Sequence, residues 1–230
     1  MRPDGRGRRA GADPGGPRSA LGSLMRQIDP EARWRAMWSS LELDPPPDLF
    51  ALLLERYREL HRHYHVLAHV LDCLGKADAS RPIQRRPAAV DLALWFHDAV
   101  YDTHRSDNEE RSAELAAEHL SGVLPEDFVA DVRELVLATR HRAGPAPSGD
   151  AAVVADVDLT ILGESPDRFA AYQAAIRREY SWVPSFLYRR RRARFLAGFL
   201  ARERIFATDW FHDRFEAAAR RNLARALGDL

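Results

Sequence analysis

From Leu24 onward apolar residues return every three or four positions, and no two stretches alternate strictly enough to pair as strands. A chain patterned in this way buries its apolar stripes helix against helix. The expected fold class is therefore all-α, with about nine or ten helices in a single domain. The helical segments read as 30–42, 48–60, 63–77, 88–101, 107–121, 125–142, 151–163, 166–180, 184–206 and 211–227. Turn signals separate them: the prolines at 45–47, Arg81-Pro82, Gly122, Gly144-Pro145, Ser148-Gly149, Gly163, Ser165-Pro166 and Val183-Pro184. Pro30 opens the first segment, where a missing N–H is harmless. The chain has 230 residues, long enough to bury a core. Residues 1–22 are rich in Gly, Pro and Arg and lack periodicity, so they read as a disordered tail ahead of a domain over 23–230. A nucleic-acid-binding arm is the alternative reading of that tail.

Charge and cysteine usage narrow the function classes. Lys+Arg and Asp+Glu each number 34, so the chain lacks the net positive charge of a general nucleic-acid binder. Cys73 is the only cysteine, which excludes an internal disulfide framework and a thiolate zinc cluster. Any metal would be held by histidine and carboxylate. No apolar run approaches the roughly 18–20 residues of a membrane span, and none follows the basic N-terminus as in a secretory signal. A cytoplasmic protein with no membrane partner is expected. No serine nucleophile elbow, phosphate-cradling Gly-rich loop or dinucleotide fingerprint is present, which argues against serine hydrolases, kinases and NAD enzymes.

The histidines are unevenly spread. His61, His63, His65 and His69 crowd together, and a spacing of four would stack 61, 65 and 69 on one helix face. That face suits metal or phosphate, or is simply a polar stripe in solvent. His97-Asp98 interrupts the apolar run that begins at Val90, and a carboxylate buried there must be paired or coordinated. Asp156 and Asp158 sit in a second apolar run. Each piece alone is compatible with a satisfied core pair. Together they make an N/O ligand set of the kind divalent metals accept, with positions left for water and substrate. A second doublet, His212-Asp213, lies in an amphipathic helix and reads as surface. The arginine run 189–192 with Arg194 covers all sides of one helix and reads as a solvated face, with phosphate contact as the alternative.

The order His … His-Asp … Asp on an all-α chain resembles the HD-domain superfamily of metal-dependent phosphohydrolases. Longer stretches resemble its branch of small bacterial predicted HD phosphohydrolases: HRHYHVLAHV at 61–70, LWFHDAVYDTHRSDNEERSAELA at 94–116, LATRH at 137–141, VADVDLTILG at 154–163 and FLARERIFAT at 199–208. The likeness runs over about residues 30–227. It implies His65, His97, Asp98 and Asp156 as ligands of a divalent ion (Mn, Fe, Zn, Ni or Mg), with Asp158 competing for the last place. It also implies Arg62, in an Arg-x-x-His arrangement, as a phosphate clamp, with Arg140 as second choice. His69, one turn beyond His65, would touch substrate or a second ion, and His141 is a candidate extra ligand or a cation at a helix end. Glu110 is preferred over Glu109 as acid or base, and Asp107 with Glu110 would also form a capping box. The implied reaction is hydrolysis of a phosphomonoester, phosphodiester or nucleotide by metal-activated water. The implied partner is a small phosphorylated molecule, nucleotides included, and not nucleic acid. A non-catalytic metal- or nucleotide-binding module is the alternative, and a helical domain with five tryptophans leaves room for a homodimer.

Overall fold

The computed structural model describes residues 29–141 and 146–230, and its helices follow the turn signals. Ten α-helices are present among the described residues: α1 (Pro30–Ser39), α2 (Leu49–Arg56), α3 (Leu67–Ala79), α4 (Pro87–Phe96), α5 (Asn108–Leu120), α6 (Glu126–Leu137), α7 (Gly149–Leu159), α8 (Pro166–Glu179), α9 (Ser185–Leu200) and α10 (Asp209–Gly228). Apart from one isolated bridge between Ser121 and Leu124, the described residues form no β-structure. The tail expected over 1–22 lies outside the described residues. No helix among the described residues is long and apolar enough to cross a membrane.

Helices α4 and α7 are apolar on nearly every side and so occupy the centre. Ala89 through Phe96 of α4 and Ala152 through Val157 of α7 are all buried. α4 packs against α1, α3, α5, α6 and α7, and α7 also meets α3 and α6. Beside α4, Trp34 meets Trp95 edge-on with ring centroids 5.4 Å apart and packs on Phe50 and Trp38. Asp91 is the buried carboxylate of α4, and Arg81 holds both its oxygens at 2.8 and 2.6 Å. At the other end, α10 lies so close to the turn Thr160–Gly163 that a Cβ on Gly163 would stand 2.7 Å from the Phe215 backbone oxygen. Only glycine fits there.

The helices are shorter than the periodicity predicts, and buried side chains explain where they stop. The segment expected as helix from 63 begins instead at Leu67, because Glu179 accepts the backbone N–H groups of His63, Tyr64 and His65. The segment expected to reach 101 stops at Phe96, where Arg62 binds the carbonyls of Asp98 and Ala99 at 2.6 and 3.1 Å. The segment expected to reach 206 stops at Leu200. Glu216 accepts the amides of Ile205 and Phe206, and Asp156 those of Ala207 and Thr208. A carboxylate that satisfies two or three successive N–H groups removes them from the helical ladder at no loss of hydrogen bonding.

Candidate metal centre

Four side chains converge where the ends of the two central helices meet the start of α3. His97 follows the last residue of α4, Asp98 follows it, Asp158 is in the last turn of α7, and His69 is in the first turn of α3. His97 Nε2 lies 2.9 Å from Asp98 Oδ2 and 3.1 Å from His69 Nε2. His69 Nε2 lies 3.2 Å from Asp158 Oδ1 and 3.5 Å from Asp98 Oδ2. His141 approaches from the far side, its Nε2 2.8 Å from Asp158 Oδ2. His141 has a left-handed backbone (φ 49°) at the end of the 3-10 turn Ala138–Arg140. That conformation is rare for a residue with a Cβ, and such outliers concentrate at functional sites.

The donor chemistry fits a divalent cation. His97 Nδ1 donates to the Leu94 carbonyl at 2.9 Å, which orients the ring and aims Nε2 into the cluster. That nitrogen meets a second imidazole nitrogen and two carboxylates, a donor set of the kind divalent cations accept. Burial by itself pushes the Asp98 carboxyl up. The charges of His97 and His65 and the hydrogen bonds from His69 and His97 outweigh burial and hold it well below the usual carboxylate range. Asp158 is held far down in the same way, against burial, by hydrogen bonds from His141 and His69. Both are anionic at neutral pH. Cys73 Sγ stands 3.7 Å from the His69 ring and within the same 4.8 Å group as His69, His97 and Asp158. Burial pushes that thiol up to about 11, so in the ion-free protein the cluster's anions are its carboxylates.

The cluster opens into a cavity of about 490 Å3. Asp98, Asp158, His141 and His65 stand on its polar side, Tyr64, Tyr101 and Tyr172 form part of an aromatic wall, and Arg105, Arg140 and Arg191 contribute cations.

Several expected roles move. Asp156 does not close the ligand set: its carboxylate points toward the start of α10 and accepts from Ala207 N, Thr208 N and Thr208 Oγ1 at 2.7, 2.7 and 2.8 Å. Asp158 takes that place. His65 lies outside the cluster, its Nδ1 held 2.8 Å from Glu179 Oε2, and His69 stands where the first histidine ligand was expected. Helix α3 starts after His65, so the histidines at 61, 65 and 69 do not share a helix face. Arg62 is buried and bound to Glu59 and to the carbonyls of His65, Asp98 and Ala99, so it staples the turn to the end of α4 and is not open to a phosphate. Glu110 pairs with Arg140, and it is Glu109 that lines the cavity. Burial raises the Glu109 carboxyl. Asp107 makes no capping bond and pairs with Arg105, so the capping box does not form. His212 faces Glu216 one turn on, while Asp213 is exposed. Within the arginine run, Arg192 is buried against Gln173 and the Tyr172 and Phe195 rings, and Arg189, Arg190, Arg191 and Arg194 are exposed.

Glu179 is the residue that sequence reasoning missed. Besides three amides and His65, it accepts the Tyr101 hydroxyl at 2.9 Å. Burial pushes its carboxyl up, but the His65 hydrogen bond and charge, with the amides of Tyr64 and His63, bring it down to about 2. The available signal was position: Glu179 continues the buried face of Phe169, Tyr172 and Ile176, where an unpartnered carboxylate would be untenable.

Compared with known proteins, the chain matches no family model, no curated protein and no solved structure.

Proposed function

We propose that this protein is an HD-type metal-dependent phosphohydrolase acting on a small phosphorylated molecule. The observation that carries the reading is the convergence of His69 Nε2, His97 Nε2, Asp98 Oδ2 and Asp158 Oδ1 at one side of a cavity lined by arginines. These four residues would hold the ion, with His141 supporting Asp158. When bound, a divalent ion supplies Lewis acidity toward a phosphoryl oxygen and a water acidic enough to attack near neutral pH.

The chain's own residues supply the rest. Arg191 on the cavity wall is exposed, and Arg105 and Arg140, paired with Asp107 and Glu110, also line the cavity. Guanidinium groups match phosphate oxygens in a fork geometry and draw an anionic group toward the carboxylate side of the cavity. Tyr64, Tyr101 and Tyr172 on the cavity lining give an apolar or planar part of the substrate a surface to pack on and exclude water. Glu109, its carboxyl raised by burial, is placed to exchange a proton within the cavity.

The test is turnover of a panel of phosphomonoesters, phosphodiesters and nucleotides by protein loaded in turn with manganese, iron, zinc, nickel or magnesium. Metal-dependent phosphate release that falls to background in Asp98→Ala is the expected result. Tight nucleotide binding without turnover over hours would replace the enzyme reading with that of a binding module.

A further inference from the structure

His65 is surrounded on every side but one. Its Nδ1 meets Glu179 Oε2 at 2.8 Å, and because a carboxylate only accepts, the hydrogen sits on Nδ1. The ring stacks on Tyr101 with centroids 4.1 Å apart and takes Tyr64 against its edge at 5.1 Å. Glu179 is itself immobilised by three backbone amides and the Tyr101 hydroxyl. What remains is Nε2, which has no hydrogen-bond partner among the described residues, on a ring that lines the cavity next to the metal cluster. The His65 and His69 centroids are 6.0 Å apart. A histidine oriented through Nδ1 by a buried carboxylate, with Nε2 open to the substrate space, is built for proton transfer at Nε2.

We propose that His65 is the proton donor to the leaving group and that Glu179 is its positioning residue; this rests on the phosphohydrolase reading above. In the step, the bond between phosphorus and the leaving oxygen breaks with its electron pair on that oxygen. His65 enters the step with a hydrogen on both ring nitrogens, Nδ1–H held by the Glu179 carboxylate and Nε2–H facing the leaving oxygen. The Nε2 proton passes to that oxygen, giving a neutral alcohol. The attacking water forms the new bond to phosphorus. Of its two protons, one stays on the phosphate and the other restores His65, so the sum is ester plus water to alcohol plus phosphate. Glu179 remains a carboxylate throughout and keeps the ring in the orientation whose Nε2 faces the reacting oxygen.

The experiment compares phenyl phosphate, whose leaving oxygen needs a proton, with p-nitrophenyl phosphate, whose leaving oxygen departs readily without one. His65→Ala is expected to lose about 10^2–10^4-fold on phenyl phosphate, the usual worth of a positioned acid, and far less on the nitrophenyl ester. Added imidazole should restore part of the phenyl phosphate rate. Metal content should equal that of wild type, because His65 is not a ligand. For Glu179→Gln the same selective loss should appear in kcat with KM nearly unchanged. In the metal-free protein, NMR of the imidazole nitrogens should find a hydrogen on His65 Nδ1 whether or not Nε2 also carries one. Equal losses on both esters with metal retained would overturn the proposal, and loss of metal from His65→Ala would show that the residue is a ligand and overturn it differently. A wild-type protein that hydrolyses neither ester nor any member of the panel above removes the phosphohydrolase reading itself, and the proposal falls with it.

Discussion

Asp156 and Asp158 leave the last turns of one helix two residues apart, and their surroundings are opposite in kind. Asp156 is met by two backbone amides and the Thr208 hydroxyl at the start of α10. Asp158 is met by imidazole nitrogens, those of His69 and His141 directly and His97 Nε2 at 3.8 Å. Among the other buried carboxylates, Asp91 is held by arginine, Glu216 by two amides, Arg220 and His212, Glu179 by three amides with His65 and the Tyr101 hydroxyl, and Asp98 by histidines. A carboxylate held mainly by amides and guanidinium groups has donors that cannot bind a metal, and its work is to shape the chain. Two carboxylates that meet several imidazole nitrogens at one point share a donor set that can hold a cation, and that separates a candidate site from a structural seam.

The largest expected effect on stability comes from the structural side. Asp156→Ala leaves two buried amides and a hydroxyl without an acceptor, and should destabilise the fold by about 3–5 kcal/mol, a Tm drop of roughly 10 °C. The folded fraction should keep its metal. Thermal denaturation and metal content measured on the same sample check both halves. Next in size is chelation of the wild-type protein. An ion at a hundred times its dissociation constant stabilises the native state by about 2.7 kcal/mol, so its removal should lower the Tm of wild type and of Asp156→Ala, but not that of Asp158→Ala.

The smallest effect is a pH dependence. The Glu179 carboxyl lies at about 2 in the folded protein against an ordinary value of 4.5, so its contribution is present above about pH 4.5 and disappears as the pH falls through 2. Setting aside the part owed to the His65 charge, that is roughly 2 kcal/mol. Acid unfolding of Glu179→Gln should have a shallower slope between those two pH values than wild type. An identical slope would mean that Glu179 titrates normally.

The helices were readable because Pro30, Gly122, Ser165-Pro166 and their kind act locally, and because apolar spacing alone marks α4 and α7 as central. Helix ends were not, since Glu179 and Glu216 reach their amides from distant elements. The same limit governed the site. The His97-Asp98 doublet is conspicuous because it ends the most apolar helix, whereas nothing local separates Asp156 from Asp158. Their roles depend on where α10 begins, some fifty residues later along the chain. Arg62 and His65 stand outside the cluster for a related reason: a spacing of three or four implies a shared face only inside a helix, and α3 starts after both.

The most direct test is elemental analysis of wild type, Asp156→Asn and Asp158→Asn after identical loading and desalting. Wild type and Asp156→Asn should each carry about one equivalent of a divalent metal, and Asp158→Asn should carry almost none. Metal lost from Asp156→Asn and kept by Asp158→Asn would contradict the site described here.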